Sequence, residues 1–180
     1  MKQLIVIIGP NGVGKSTTAK KIVEQCENTA FVDSDWCRYM NPFDFTETTK
    51  HTIVDNIYCL LHNYLSCSDI NTVVFTYGWH GERKEIYASA IEKLRNDSLD
   101  FKETIIILKC TKDENIRRAI KDGRDEIRVQ RGMEMTFSFY DEYDYPCIDT
   151  TDMTAEQVAF KIKRLVYSSL ASSFYSHKVN

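Results

Sequence analysis

An apolar run at residues 3–8, "QLIVII", breaks directly into "GPNGVGKST" at residues 9–17. The run is short and rich in β-branched side chains, which predicts a strand buried on both faces. Residues 15–26 carry Ala19, Ile22 and Val23 at helical spacing, which predicts a helix immediately after the loop. Gly9, Gly14, Lys15 and Ser16 fill every fixed position of G-x-x-x-x-G-K-[ST], in the strand–loop–helix context that the motif needs. Glycines let backbone N–H groups turn inward around an anion, Lys15 reaches the outer phosphates, and the Ser16 hydroxyl is suited to Mg²⁺. The helix N-terminus adds its dipole. The anion is the triphosphate of a nucleotide, held by Gly9, Asn11, Gly12, Val13, Gly14, Lys15, Ser16 and Thr17.

The rest of the chain alternates in the same way. Strands are expected at 30–32, 72–77, 104–110 and 146–149, and helices from about 46 to 66 and over 82–96. Further helices begin at the capping-box strings "TKDE" (111–114) and "TAEQ" (154–157). This alternation gives an α/β domain with a parallel sheet covered on both faces, and ligands bind beyond the carboxyl ends of its strands. At 180 residues the expectation is one domain, 1–180. The net charge of −3 speaks against a nucleic-acid partner. The six cysteines contain no C-x-x-C pair and read as reduced, mostly buried thiols. No signal peptide precedes the glycine loop and no apolar stretch is long enough to span a membrane, so a cytoplasmic protein is expected.

Three features suggest a use for the nucleotide. "VDSDWCR" follows the second strand and carries Asp33 and Asp35. As alternate residues of an extended segment they are expected to face opposite ways, one toward Mg²⁺ and one toward an acceptor hydroxyl, as a general base. "YGWHGERKE" follows the third strand, and Arg83 there suits a phosphate or carboxylate on the acceptor. His80 reads as pocket wall. Arg117, Arg118, Arg124, Arg128 and Arg131 fall in one charged, glycine-punctuated stretch that predicts a mobile lid at about 121–143. Arg124 and then Arg128 are the favoured catalytic arginines beside Lys15 and Asp35. Trp36, Tyr39, Phe43, Phe45, Tyr77 and Trp79 either flank a flat acceptor or fill the core.

On the phosphate loop, the D-x-D, the arginine lid and "IDTT" at 148–151, the chain resembles a small P-loop kinase of the nucleoside-monophosphate-kinase and shikimate-kinase type over nearly its whole length. The resemblance implies a three-layer P-loop NTPase fold with sheet order 2-3-1-4-5, and ATP with Mg²⁺ as donor. It implies Asp35 at the acceptor, Asp33 near the metal, and a lid arginine on the transferring phosphate. It places Arg117 or Arg118 on the adenine, near the loop from Asp149 to Thr151 that contains Thr150. Asp33, Asp35 and Arg38, as D-x-D-x-x-R, also resemble polynucleotide-kinase and chloramphenicol-phosphotransferase-like members, where such residues face an acceptor hydroxyl. The chain departs from the pattern in having "YGWHG" for the glycine-rich shikimate loop, and "RRAIKDGR" is not the lid spacing of adenylate kinase. The expected activity is ATP-dependent phosphoryl transfer to a small-molecule acceptor bound by Asp33, Asp35, Arg38, Trp79 and Arg83, by a monomer or homodimer. The alternatives are a 5′-hydroxyl kinase on nucleic acid and a nucleotide-binding switch.

Overall fold

The computed structural model describes residues 1–123, 125, 127 and 138–176, with side chains through residue 167. The strands are β1 (Lys2–Ile8), β2 (Thr29–Asp33), β3 (Thr72–Tyr77), β4 (Phe101–Lys109) and β5 (Cys147–Asp149). The helices are α1 (Lys15–Gln25), α2 (Glu47–Ser66), α3 (Arg83–Asn96), α4 (Lys112–Lys121) and α5 (Ala155–Ser176), with 3₁₀ turns at Trp36–Arg38 and Ser138–Glu142. All strand pairs are parallel, and the sheet order is β2-β3-β1-β4-β5. This is the architecture and order expected from the sequence.

β1 lies at the centre of the sheet, and its alternating side chains feed two cores. Leu4, Val6 and Ile8 join Val73, Phe75 and Tyr77 of β3 under α2 and α3. Ile5 and Ile7 join Val74, Ile106 and Leu108 under α1 and α5. Each such aliphatic side chain contributes about 1.5–3 kcal/mol when fully buried. A strand apolar on both faces has one stable position in this fold, between two layers of helix.

The helix starts follow local chemistry. Thr46 and Thr49 form a reciprocal capping box at α2. Thr154 Oγ1 accepts from Gln157 N at 3.3 Å and Gln157 Oε1 accepts from Thr154 N at 2.8 Å, which is the box expected at α5. At α4 only half of it forms. Thr111 accepts from Glu114 N at 3.4 Å, while the Glu114 carboxylate turns to Arg117 and Arg118 instead.

Two expectations are corrected. β4 begins at Phe101, three residues early, because Lys102 and Glu103 are polar yet pair with β1 at Gln3 and Leu4. The cysteines are free, but only Cys37 and Cys110 are buried; Cys59, Cys67 and Cys147 are exposed. Among the described residues no helix is long and apolar enough to cross a membrane. The parallel strands all end on one side, at Ile8, Asp33, Tyr77, Lys109 and Asp149, and the connections leaving those ends build the site.

Candidate active site

The glycine loop has the backbone of an anion cradle. Gly9, Gly12 and Gly14 have φ of 147°, 86° and 99°. At Gly9 a Cβ would stand 2.3 Å from the Leu108 carbonyl oxygen, so β4 leaves room only for glycine. Val13 N donates to Pro10 O at 3.4 Å, and Thr18 N donates to Gly14 O at 2.9 Å as α1 begins. Lys15 Nζ folds back on the loop and donates to the carbonyls of Gly9 and Pro10, both at 2.9 Å.

β2 brings its aspartate to this loop. Ser16 Oγ donates to Asp33 Oδ2 at 2.7 Å. Asp33 Oδ1 accepts from the backbone N–H of Asp35 at 3.0 Å, which turns the chain. Asp35 therefore has helical dihedrals, φ −66° and ψ −28°, and heads the 3₁₀ turn. The expectation that the two aspartates face opposite ways is corrected on this point: it assumed an extended segment, and the Asp33 side chain ends the extension. Both aspartates border one cleft with Lys15, Ser16, Arg38 and Arg83. Arg38 donates through Nε (3.1 Å) and Nη2 (2.5 Å) to Asp35 Oδ1.

Arg83, the first residue of α3, closes the far side of this cleft. Its carbonyl accepts from Tyr77 Oη at 2.9 Å. Its Nη1 lies 2.6 Å from His80 Nε2, and its guanidinium lies 5.9 Å from the Phe45 ring centroid. Burial, together with Arg38, lowers the pKa of Arg83. Burial, then Arg83, Lys15 and Arg38, lowers that of His80 to about 4, so the imidazole is neutral near pH 7. The aromatic residues divide. Trp36, Tyr39, Phe43 and Phe45 are exposed, whereas Tyr77 is core. Trp79 does not join the cleft: it is 3% exposed and packs against Tyr87, Tyr143 and Tyr145, because the chain after β3 turns its indole inward.

A second cleft opens on the other side of the glycine loop; Gly12, Gly14 and Thr17 border both. Its walls include Val13, Arg117, Arg118, Thr150, Thr151 and Asp152. Arg118 ties the wall together, donating to Val13 O (3.2 Å), Thr150 Oγ1 (3.0 Å), Thr150 O (2.6 Å) and Thr151 O (3.3 Å), and to Glu114 Oε1 (2.6 Å). Arg117 holds the other side of Glu114 and is exposed. Hydrogen bonds from Arg117 and then Arg118 hold the Glu114 carboxyl at about 2. Asn11 belongs to the first cleft. Arg124 and Arg128 lie outside the described residues, as does most of the expected lid.

Two residues were not anticipated. Tyr140, fully buried, accepts the Trp79 backbone N–H at 3.0 Å and so anchors the loop that carries Arg83. Asn115, also fully buried, stands where a Cβ on Gly12 would come within 3.0 Å of its Oδ1. The aperiodic string around Tyr140 gave no signal; Asn115 sits in α4 among charged residues.

The donor set of Ser16 and Asp33 fits Mg²⁺. No group of three or more His, Cys, Asp or Glu that could hold a metal occurs among the described residues. An ion held by one carboxylate and one hydroxyl needs phosphate oxygens and water to complete six ligands, which is how Mg²⁺ is bound with nucleotides.

No protein-family model matches the chain, and no curated protein sequence matches it significantly. Solved structures do. The chain is similar to a gluconokinase from Sinorhizobium meliloti 1021 (15% identity, 97% of each chain, TM-score 0.63). It is similar to the Mycobacterium tuberculosis APS kinase solved with AMPPNP and APS (18% identity, 92% of this chain and 98% of that one, TM-score 0.60). A shikimate kinase from Acinetobacter baumannii, in complex with shikimate, matches at 19% identity over 94% of this chain and 95% of that one, with a TM-score of 0.57. The fold is that of the small P-loop kinases, of the shikimate-kinase-like type.

Proposed function

We propose that the chain is an ATP-dependent phosphotransferase that moves the γ-phosphoryl group of ATP to a hydroxyl of a small anionic acceptor. The observation that carries this is the first cleft. It holds the glycine loop and Lys15, the Ser16–Asp33 pair, and on the far wall Asp35, Arg38 and Arg83. A nucleotide-binding switch needs the first of these groups and not the last.

The triphosphate lies along the loop, with Lys15 released from the Gly9 and Pro10 carbonyls to the outer phosphates. The nucleoside extends into the second cleft, between Arg117 and the Thr150–Thr151 turn. Ser16 and Asp33 hold Mg²⁺, which when bound neutralises charge on the phosphate oxygens. Arg38 occupies Asp35 Oδ1 and leaves Oδ2 for the acceptor hydroxyl, whose proton it takes as the oxygen attacks. Arg83 binds an anionic group of the acceptor. It is a half-buried cation that feels the Asp35 charge but forms no ion pair with a carboxylate among the described residues, so an anionic group of the substrate is the counter-charge it can pair with. Arg124 and Arg128 are proposed to spread the charge of the moving phosphoryl group. The gluconokinase, shikimate kinase and APS kinase neighbours, whose named acceptors are anions, support this reading.

The test is ADP release from Mg-ATP, with pools of sugar acids, hydroxy acids, nucleoside monophosphates, neutral sugars and a 5′-hydroxyl oligonucleotide, and with Lys15→Ala as blank. Stimulation by an anionic small molecule is expected. Stimulation by the oligonucleotide alone, or by no pool, would overturn the reading.

A further inference from the structure

His80, expected as pocket wall, instead sits in the loop three residues before Arg83 and does not border the cleft itself. Its Nε2 is 2.6 Å from Arg83 Nη1. A guanidinium has no acceptor to offer, so the hydrogen bond runs from Arg83 to a lone pair on Nε2. The imidazole proton must then sit on Nδ1. That atom is buried with no hydrogen-bond partner among the described residues, so none of them selects the tautomer at Nδ1. The bond to Arg83 selects it.

The other arginines near the two clefts are held differently. Arg38 pairs with Asp35, and Arg117 and Arg118 with Glu114. A carboxylate at position 80 would fix Arg83 equally well but would neutralise it, and would compete with any anion it binds. A neutral acceptor orients the guanidinium and leaves its charge for the ligand. The neighbours serve the same end. Tyr77 fixes the Arg83 backbone, and at Gly78 a Cβ would come within 3.4 Å of both Arg83 Nη1 and His80 Cε1.

We infer that His80 is a positioning residue, held as the Nδ1–H tautomer, whose Nε2 aims Arg83 at the anionic group of the acceptor. This rests on the reading of Arg83 given above.

The experiment has two parts. Long-range proton–nitrogen NMR of the ¹⁵N-histidine-labelled protein at neutral pH reads the tautomer. A protonated Nδ1 and bare Nε2 at His80 are expected; the Nε2–H form or an imidazolium would overturn the inference alone. The second part is steady-state kinetics with whichever acceptor stimulates ADP release. His80→Leu removes the acceptor atom, and is expected to raise the acceptor KM about tenfold while the ATP KM stays within about twofold. His80→Gln, whose Oε1 can replace Nε2, is expected to restore the acceptor KM to within about threefold of wild type. Wild-type kinetics in His80→Leu, equal losses in both variants, or an ATP KM that moves with the acceptor KM would each overturn the inference. If no acceptor stimulates release, the kinase reading fails and this inference falls with it, whatever the tautomer.

Discussion

Arg117 and Arg118 are adjacent, both bind Glu114, and are expected to differ several-fold in what they contribute to stability. The Arg118 guanidinium makes hydrogen bonds to Val13 O, Thr150 Oγ1, Thr150 O, Thr151 O and Glu114, joining three separate segments of chain. Its side chain is 20% exposed and its carboxylate partner 15%. Each bond to a neutral acceptor is worth about 0.5–1.5 kcal/mol net, with a smaller solvent-discounted share for Glu114, which Arg117 continues to hold. Arg118→Met keeps the apolar stem and should cost about 3–4 kcal/mol. Among the described residues Arg117 makes only the Glu114 pair, and it is 64% exposed, so Arg117→Ala should cost below about 0.5 kcal/mol. Urea unfolding followed by tryptophan fluorescence reads both. With a slope near 2 kcal/mol/M, the midpoint should fall by about 1.5–2 M in the first variant and by less than about 0.3 M in the second. A loss under about 1 kcal/mol for Arg118→Met would show that these bonds do not hold the wall together, and would leave Arg118 open to the role expected from the sequence, a surface for the nucleotide base.

Gly9→Ala should cost more than about 3 kcal/mol, since its Cβ meets the Leu108 carbonyl, whereas Gly14→Ala, with open space around it, should cost about 1–2 kcal/mol of backbone strain; thermal unfolding compares them. Asp35→Asn should lower turnover by about 10²–10⁴ with little change in the ATP KM, and unchanged turnover would remove Asp35 as the base. Stability should fall as pH drops from 6.5 toward 4: burial beside Arg83, Lys15 and Arg38 depresses the His80 pKa to about 4, so the unfolded chain binds the extra proton. His80→Leu should flatten that part of a melting-temperature profile, and an unchanged slope would contradict the assignment. A second loss, from 4.5 toward 2, belongs to Glu114, held down first by its hydrogen bond from Arg117.

Most of the fold was legible because its signals are local. A central parallel strand is apolar on both faces, and β1 and β3 read that way without a neighbour in view. The start of β4 was not legible, because Lys102 and Glu103 break the apolar run before the strand reaches the core. The site divides on the same principle. The glycine loop is a contiguous motif, legible residue by residue. The placement of Asp35 depended on a hydrogen bond from its own N–H to Asp33, which spacing does not encode. Trp79 looked like cleft and is core, since an aromatic next to glycine suits both positions and only the inward turn after β3 decides. Tyr140 and Arg118 act across 61 and 105 positions of sequence, on Trp79 and Val13, and nothing local announces such contacts.

In the proposed reaction phosphate leaves ATP for an acceptor. The most direct measurement is to supply γ-³²P-labelled Mg-ATP with the anionic acceptor pools and ask where the label goes. Label is expected in a new phosphoryl ester, dependent on one anionic acceptor and absent in Lys15→Ala. Label that stays in ATP, or appears only as inorganic phosphate at a rate no acceptor changes, would contradict that reaction.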